Sequence, residues 1–155
     1  MRGDERVLAT LNTLLADELT AINQYMVQSE MSANWGYERL HQAIEKEARD
    51  EMKHAERLIG RLLFLEGVPV VGRLNAIHVG STVPEFFAHN LAAESGAVAG
   101  YNAGIRLCVE AGDNGTRELL ESILQDEEAH VDWLEAQQAQ IEQMGLGQYL
   151  TEQIG

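Results

Sequence analysis

A chain of 155 residues with a formal net charge of −14 fits one domain whose core needs neither a disulfide nor a structural metal. The acidity argues against nucleic acid and anionic membrane surfaces as partners and makes cations the natural ones, although solubility alone is a sufficient reason for surface carboxylates. Its one cysteine, Cys108, permits no internal disulfide, so a reducing compartment is the simpler expectation.

Ala, Leu, Glu and Gln are plentiful and the only prolines are Pro69 and Pro84, a composition of long helices. The charged opening Met1-Arg2-Gly3-Asp4-Glu5-Arg6 leads into no apolar targeting segment, and nowhere do about 18 apolar residues run together. A soluble cytoplasmic protein is expected. Val7, Leu8, Leu11, Leu14, Leu15, Leu19, Ile22, Tyr25 and Met26 recur at helical spacing and predict a first helix over about 4–35. Asn34-Trp35-Gly36 ends it, and a second helix is expected over about 38–66, stopped by Gly67 and Pro69. The stretch from Gly67 to Pro84 reads as a long connection. Such a loop suits a crossover along the full length of a bundle, and Val68, Val70, Val71, Leu74, Ile77 and Val79 are expected to pack it down. A third helix is expected over about 83–111, and Gly112-Asp113-Asn114-Gly115 then turns the chain into a fourth over about 116–144, with Thr116 as its cap. The last stretch, about 148–154, allows only two turns and needs packing partners to persist.

Glu51-Met52-Lys53-His54 on the second helix has a counterpart, Glu127-Glu128-Ala129-His130, on the fourth. Residues i and i+3 of a helix emerge on nearly one face, so each Glu and its His can hold a metal ion side by side. One such pair is weak evidence. However, a single shift of 76 residues carries Glu51 onto Glu127, His54 onto His130, and Glu18 on the first helix onto Glu94 on the third. A lone Glu from each of two helices and a Glu-x-x-His from each of the others is the ligand set of di-metal carboxylate bundles. Four carboxylates suit hard cations and two imidazoles move the preference toward iron over magnesium or calcium.

The same shift carries Asp50 onto Asp126 and Tyr25 onto Tyr101. Each Asp stands one turn before a histidine ligand and can accept the imidazole's second N–H, on its own helix or across the bundle. The alternative is a pair of surface aspartates. Each Tyr lies seven residues beyond its lone Glu, about two turns along the same face. If buried, Tyr25 is expected to bond Glu94 and Tyr101 to bond Glu18; plain core packing is the competing reading.

Ala21-Ile22-Asn23-Gln24-Tyr25, Asn34-Trp35-Gly36, Asp50-Glu51-Met52-Lys53-His54-Ala55, Phe64-Leu65-Glu66-Gly67, Asp126-Glu127-Glu128-Ala129-His130 and Met144-Gly145-Leu146 together resemble bacterioferritin, the haem-containing branch of the ferritins, over essentially the whole chain. The resemblance implies a single all-α, ferritin-like domain over 1–155: a four-helix bundle with a long crossover and a short fifth helix. It also implies a hollow homo-oligomer of about 24 subunits, with a di-iron ferroxidase centre in each bundle and haem b shared between two subunits at two-fold interfaces. Glu18, Glu51, His54, Glu94, Glu127 and His130 then hold the irons, with Glu51 and Glu127 bridging. Met52 becomes an axial haem ligand. Rotated about 100° from Glu51, it cannot reach the metal core while Glu51 does. Leu19, Ile22, Asn23 and Met26 form a stripe beside Glu18 that can line the haem pocket. Lys46 stands where several members carry an iron-binding His, and a protonated Lys cannot be a ligand. Either Glu47 and Asp50 substitute for that His, or iron passes through the di-iron centre, which then acts as an entry pore. His41, His78 and His89 lie outside the repeat and take no role.

The expected function is therefore oxidation of Fe(II) with O2 or H2O2 and storage of the ferric product, with a ferredoxin as a candidate electron donor for release. The rival readings are a di-iron peroxidase, a dimanganese catalase, and a cage that binds haem or metal without turnover.

Overall fold

A computed structural model describes all 155 residues. The chain forms α1 (Glu5–Asn34), α2 (Glu38–Phe64), α3 (Val83–Ala111), α4 (Asn114–Met144) and α5 (Leu146–Thr151). Two antiparallel hairpins, α1–α2 and α3–α4, pack into a four-helix bundle, with the long connection between α2 and α3 running along its side.

The helix ends follow from local chemistry. Asp4 accepts from the Arg6 amide at 2.8 Å and caps α1. Thr82 and Glu85 form a reciprocal capping box at the start of α3, where Pro84 sits in the first turn and loses no helical hydrogen bond. Gly112 ends α3 at φ 72°, a left-handed conformation that glycine adopts without a Cβ clash. The cap of α4 differs from the expectation. Asp113, not Thr116, is the capping residue: its carboxylate accepts from the Thr116 amide at 3.0 Å and from the Thr116 hydroxyl at 2.6 Å. The helix can therefore start at Asn114, two residues earlier, because Asp113 already satisfies the third amide of its first turn.

Arg61 of α2 locks this corner to the neighbouring hairpin. Its guanidinium donates to Thr116 Oγ1 at 2.9 Å and to Asp113 Oδ1 at 3.0 Å, and stands 4.9 Å from the Phe64 ring centroid. A partly buried, hydrogen-bonded charge pair is expected to contribute about 2 kcal/mol. Arg61→Ala should lower the unfolding free energy by about that amount in a urea titration; an unchanged midpoint would show the corner to be dispensable.

The crossover overturns a sequence expectation. Val68, Val70, Val71, Leu74 and Ile77 face solvent, and Val68 is 77% exposed; of the six apolar residues only Val79 packs against the core. Polar side chains of α1 hold the segment instead. Asn12 bonds the carbonyl of Val68 and the amide of Val70, Thr20 accepts from the Asn75 amide, Gln24 accepts from the His78 amide, and Gln28 donates to the Val79 carbonyl. An extended segment lying on a helix has unpaired backbone groups, and pairing those takes precedence over burying its valines.

The short helix α5 begins two residues and ends three residues earlier than expected. Tyr149 anchors it: the ring is buried edge-on against Phe87, and its hydroxyl donates to Gln137 Oε1 at 2.7 Å.

Two apolar clusters divide the bundle. One contains Leu11, Leu15, Leu58, Leu62, Leu120 and Ile123. The other contains Leu40, Ile44, Phe86, Phe87, Leu134 and Tyr149. Between them lies a layer of buried polar residues, with Tyr101 packed on the first side and Tyr25 on the second.

Candidate di-metal centre

The central polar layer consists of Glu18 from α1, Glu51 and His54 from α2, Glu94 from α3, and Glu127 and His130 from α4, each at most 6% exposed. Two sets of ligand atoms converge within 4.8 Å of one another: Glu18, Glu51, His54 and Glu127, and Glu51, Glu94, Glu127 and His130. Glu51 and Glu127 belong to both sets, as bridging carboxylates must.

The aspartates reach across the bundle. His54 Nε2 lies 2.8 Å from Asp126 Oδ2 and His130 Nε2 lies 3.1 Å from Asp50 Oδ2. A carboxylate accepts, so each Nε2 carries the hydrogen, and each Nδ1 points at the glutamates, 2.9 Å from Glu127 for His54 and 3.0 Å from Glu51 for His130. The phenols form the expected pairs: Tyr25 donates to Glu94 Oε1 at 2.6 Å and Tyr101 to Glu18 Oε1 at 2.5 Å. Each tyrosine fixes one oxygen of a lone glutamate and leaves the other for the centre.

Those remaining atoms fit a pair of cations. One oxygen each of Glu18, Glu51 and Glu94, both oxygens of Glu127 and both Nδ1 atoms are buried without a hydrogen-bond partner of acceptable geometry. Native interiors hold few such atoms. Here they are concentrated around one point, and the donor set of carboxylates and imidazoles suits iron, manganese or zinc.

Proton affinities follow from the same crowding. Burial pushes Glu18 well above the ordinary carboxylate range, with Glu51 adding repulsion, and burial with Glu94 nearby raises Glu51. Glu94 is pushed up to about 8 by burial and by the neighbouring Glu127 carboxylate. Burial also opposes the charge on Glu127, but the closeness of Glu94 and both histidines outweighs it and holds that carboxyl low. For His54 and His130 burial disfavours the cation, yet the surrounding glutamates raise both far above the usual imidazole range. Without metal, the centre holds protons where cations would neutralise it.

Glu47 is the buried acid that the repeat leaves aside, since the same shift carries it onto Ile123. It stands one turn before Glu51, is 5% exposed, has an unpartnered Oε2, and burial pushes it up to about 8. The spacing of four from Glu51 was the available signal. A carboxyl whose folded pKa lies above its ordinary 4.5 stabilises the fold fully below that value and loses the contribution as pH rises to about 8. Glu47→Gln, which mimics the protonated form, should therefore match the metal-free parent near pH 4.5 and exceed it above pH 8 by up to about 5 kcal/mol. Parallel thermal melts across that range decide it, since curves with equal slopes would mean that Glu47 is ionised in the fold.

A cavity of about 380 Å³ bounded by α1, α3 and the crossover reaches Glu18, Glu51 and Glu94. Asp17, Asn75, His78 and His89 also line it, and Ala92, Ala93, Gly96 and Ala97 leave the space open. The two histidines that the sequence left without a role stack 5.8 Å apart along its wall. The cavity thus extends from the space beneath the crossover to three of the six candidate ligands.

A model of the ferritin-like domain family matches residues 8–144. The chain is 43% identical over 145 residues to a bacterioferritin of Mycobacterium leprae, covering 94% of this chain and 91% of that one. This chain is a member of the bacterioferritin family. It is 42% identical over 155 residues to a bacterial ferritin of Synechocystis, covering 99% of each. With a bacterial ferritin of Pseudomonas aeruginosa the identity is 41% over 155 residues, covering 99% of this chain and all of the other. A bacterioferritin-family chain thus carries its six candidate ligands in the polar layer between its two apolar clusters. Met52 and Met26, 47% and 50% exposed, stand on the outer face of the α1–α2 hairpin, and Leu19 and Ile22 are partly buried beside them. Asn23 turns its amide to the Leu19 carbonyl at 2.9 Å. No helix is long and apolar enough to cross a membrane.

Proposed function

We propose that this chain is the subunit of a cytoplasmic iron-storage and detoxification shell, its 155 residues forming one ferritin-like domain that oxidises Fe(II). The observation that supports this reading is the convergence of Glu18, Glu51, His54, Glu94, Glu127 and His130, with their orphaned atoms aimed at one buried point. Two Fe(II) ions held there supply the two electrons that reduce O2 to H2O2 or H2O2 to water.

The protein's part is to bind, orient and discharge. Asp126 and Asp50 hold the Nε2 hydrogens of His54 and His130, so that each Nδ1 lone pair is available once its proton leaves. Tyr25 and Tyr101 restrain the lone glutamates. Four carboxylates balance two divalent ions, so substrate binding displaces the protons that burial forces on the centre. Anionic donors then favour the ferric product, and net acidity draws cations to the particle.

Assembly completes the reading. A homo-oligomeric shell of about 24 subunits covers the apolar crossover residues that a lone subunit exposes. Met52 and its symmetry mate would hold haem b between two subunits, with Leu19, Ile22, Asn23 and Met26 lining the pocket. The exposed thioether beside apolar side chains fits such a group, which when bound would pass electrons from a donor such as a ferredoxin. The paired tyrosines also support a peroxidase reading. Electron microscopy with oxygen-uptake measurement on Fe(II) addition separates these. Hollow particles with uptake are expected, whereas dimers using H2O2 alone would favour the peroxidase and particles without uptake a passive cage.

A further inference from the structure

Glu30 on α1, with His41 and Glu45 on α2, forms a third convergence of ligand atoms, one from each lying within 4.8 Å of the other two. The group stands outside the internal repeat, whose shift carries His41 onto Arg117 and Glu45 onto Glu121. Ten residues separate His41 from Glu51, on the order of 15 Å along the helix, so this is not an extension of the di-metal centre.

His41 is held in a defined orientation. Its Nδ1 lies 2.9 Å from the Ser29 carbonyl oxygen. A carbonyl only accepts, so Nδ1 carries the hydrogen and the neutral ring presents an unprotonated Nε2. That nitrogen faces Glu45 Oε2 at 3.5 Å, with the Glu30 carboxylate beside it. Lone pairs opposed in this way repel unless a cation stands among them. Arg49 does not fill that place, because it pairs at 2.9 Å with Glu45 Oε1, the other oxygen. Glu30 makes no ion pair and no side-chain hydrogen bond. A second proton on His41 would satisfy Glu45 and leave Glu30 unused; a metal ion uses all three.

The di-metal centre uses the same device. There one nitrogen of each histidine is held by an acceptor and the other is presented to carboxylates, the arrangement that fixes metal-ligating imidazoles generally.

We infer that Glu30, His41 and Glu45 bind a first-row divalent cation, such as Zn2+ or Fe2+, through the imidazole Nε2 and one oxygen of each carboxylate. One nitrogen and two oxygens favour these ions over magnesium and calcium. Ligands at about 2.0–2.2 Å from a tetrahedral ion lie about 3.4 Å apart, a closure that the exposed Glu30 side chain can make, with water in the fourth position. The ion would tie α1 to α2 on the side of the hairpin that carries Met26 and Met52.

Zn2+ alone is the probe. Crystals of the assembled protein soaked in zinc chloride, measured at the zinc absorption edge, should show an anomalous peak among Glu30, His41 and Glu45. In calorimetric titrations, His41→Ala and Glu45→Gln should each bind one Zn2+ fewer per subunit than the parent, with Fe(II) oxidation unchanged. Glu30→Gln, an exposed and structurally mild change, should weaken binding at this place by at least about tenfold. No peak among the three side chains, or parental stoichiometry in both His41→Ala and Glu45→Gln, would overturn the site.

Discussion

Glu94→Ala should lower the initial rate of Fe(II) oxidation by about a hundredfold or more, while the helices and the particle remain intact. Even partners outside the ligand set typically change metal affinity or activity by about 10–100-fold, and Glu94 offers its free oxygen directly to the set that includes Glu51, Glu127 and His130. The fold should tolerate the change, because the carboxyl removed is one that burial already disfavours as an anion. Tyr25 would lose its acceptor, so Glu94→Gln, which keeps an acceptor oxygen and removes the charge, is the companion variant. Stopped-flow absorbance of the ferric product measures both. Parental rates in both variants would place iron oxidation elsewhere in the molecule.

Met52→Leu should abolish the low-spin haem absorption of protein expressed with ample haem, and leave the rate of Fe(II) oxidation by O2 within about twofold of the parent. Leucine keeps the volume and apolar character of the side chain but has no sulfur to offer an iron. Met52 and Glu51 are neighbours in sequence and point to different faces, Glu51 buried at 2% exposure and Met52 exposed at 47%. The two proposed roles are therefore separable by mutation. Haem retained at parental stoichiometry in the variant would remove Met52 from the pocket.

Much of the centre is legible in the sequence because the chain repeats itself. One shift aligned six candidate ligands, two tyrosines and two aspartates. A bundle built from two similar hairpins brings equivalent positions to the same level, and the structure gathers the six at one buried point. Groups that do not repeat were less legible. Glu47 maps onto Ile123, and His41 onto Arg117, so the filter that exposed the centre hid both of them. The crossover misled for a different reason. A run of valines looks like a surface to be buried, but its backbone donors and acceptors had no partners in sequence, and Asn12, Thr20, Gln24 and Gln28 of α1 met that need.

The sequence by itself determined where the long helices run and which residues share a face. Helical periodicity and most caps are local properties, written within a few turns of chain. Only the tertiary structure decided that Asp126 serves His54 while Asp50 serves His130, that Asp113 rather than Thr116 starts α4 with Arg61 braced against it, and that the crossover turns its apolar side outward. Each of these depends on groups brought together from distant parts of the chain, and a polar atom takes the partner that geometry places within about 3 Å, whatever its distance in sequence. Glu51 illustrates both levels, since its face was set by its place on α2 and its role at the centre of two ligand sets by three other helices.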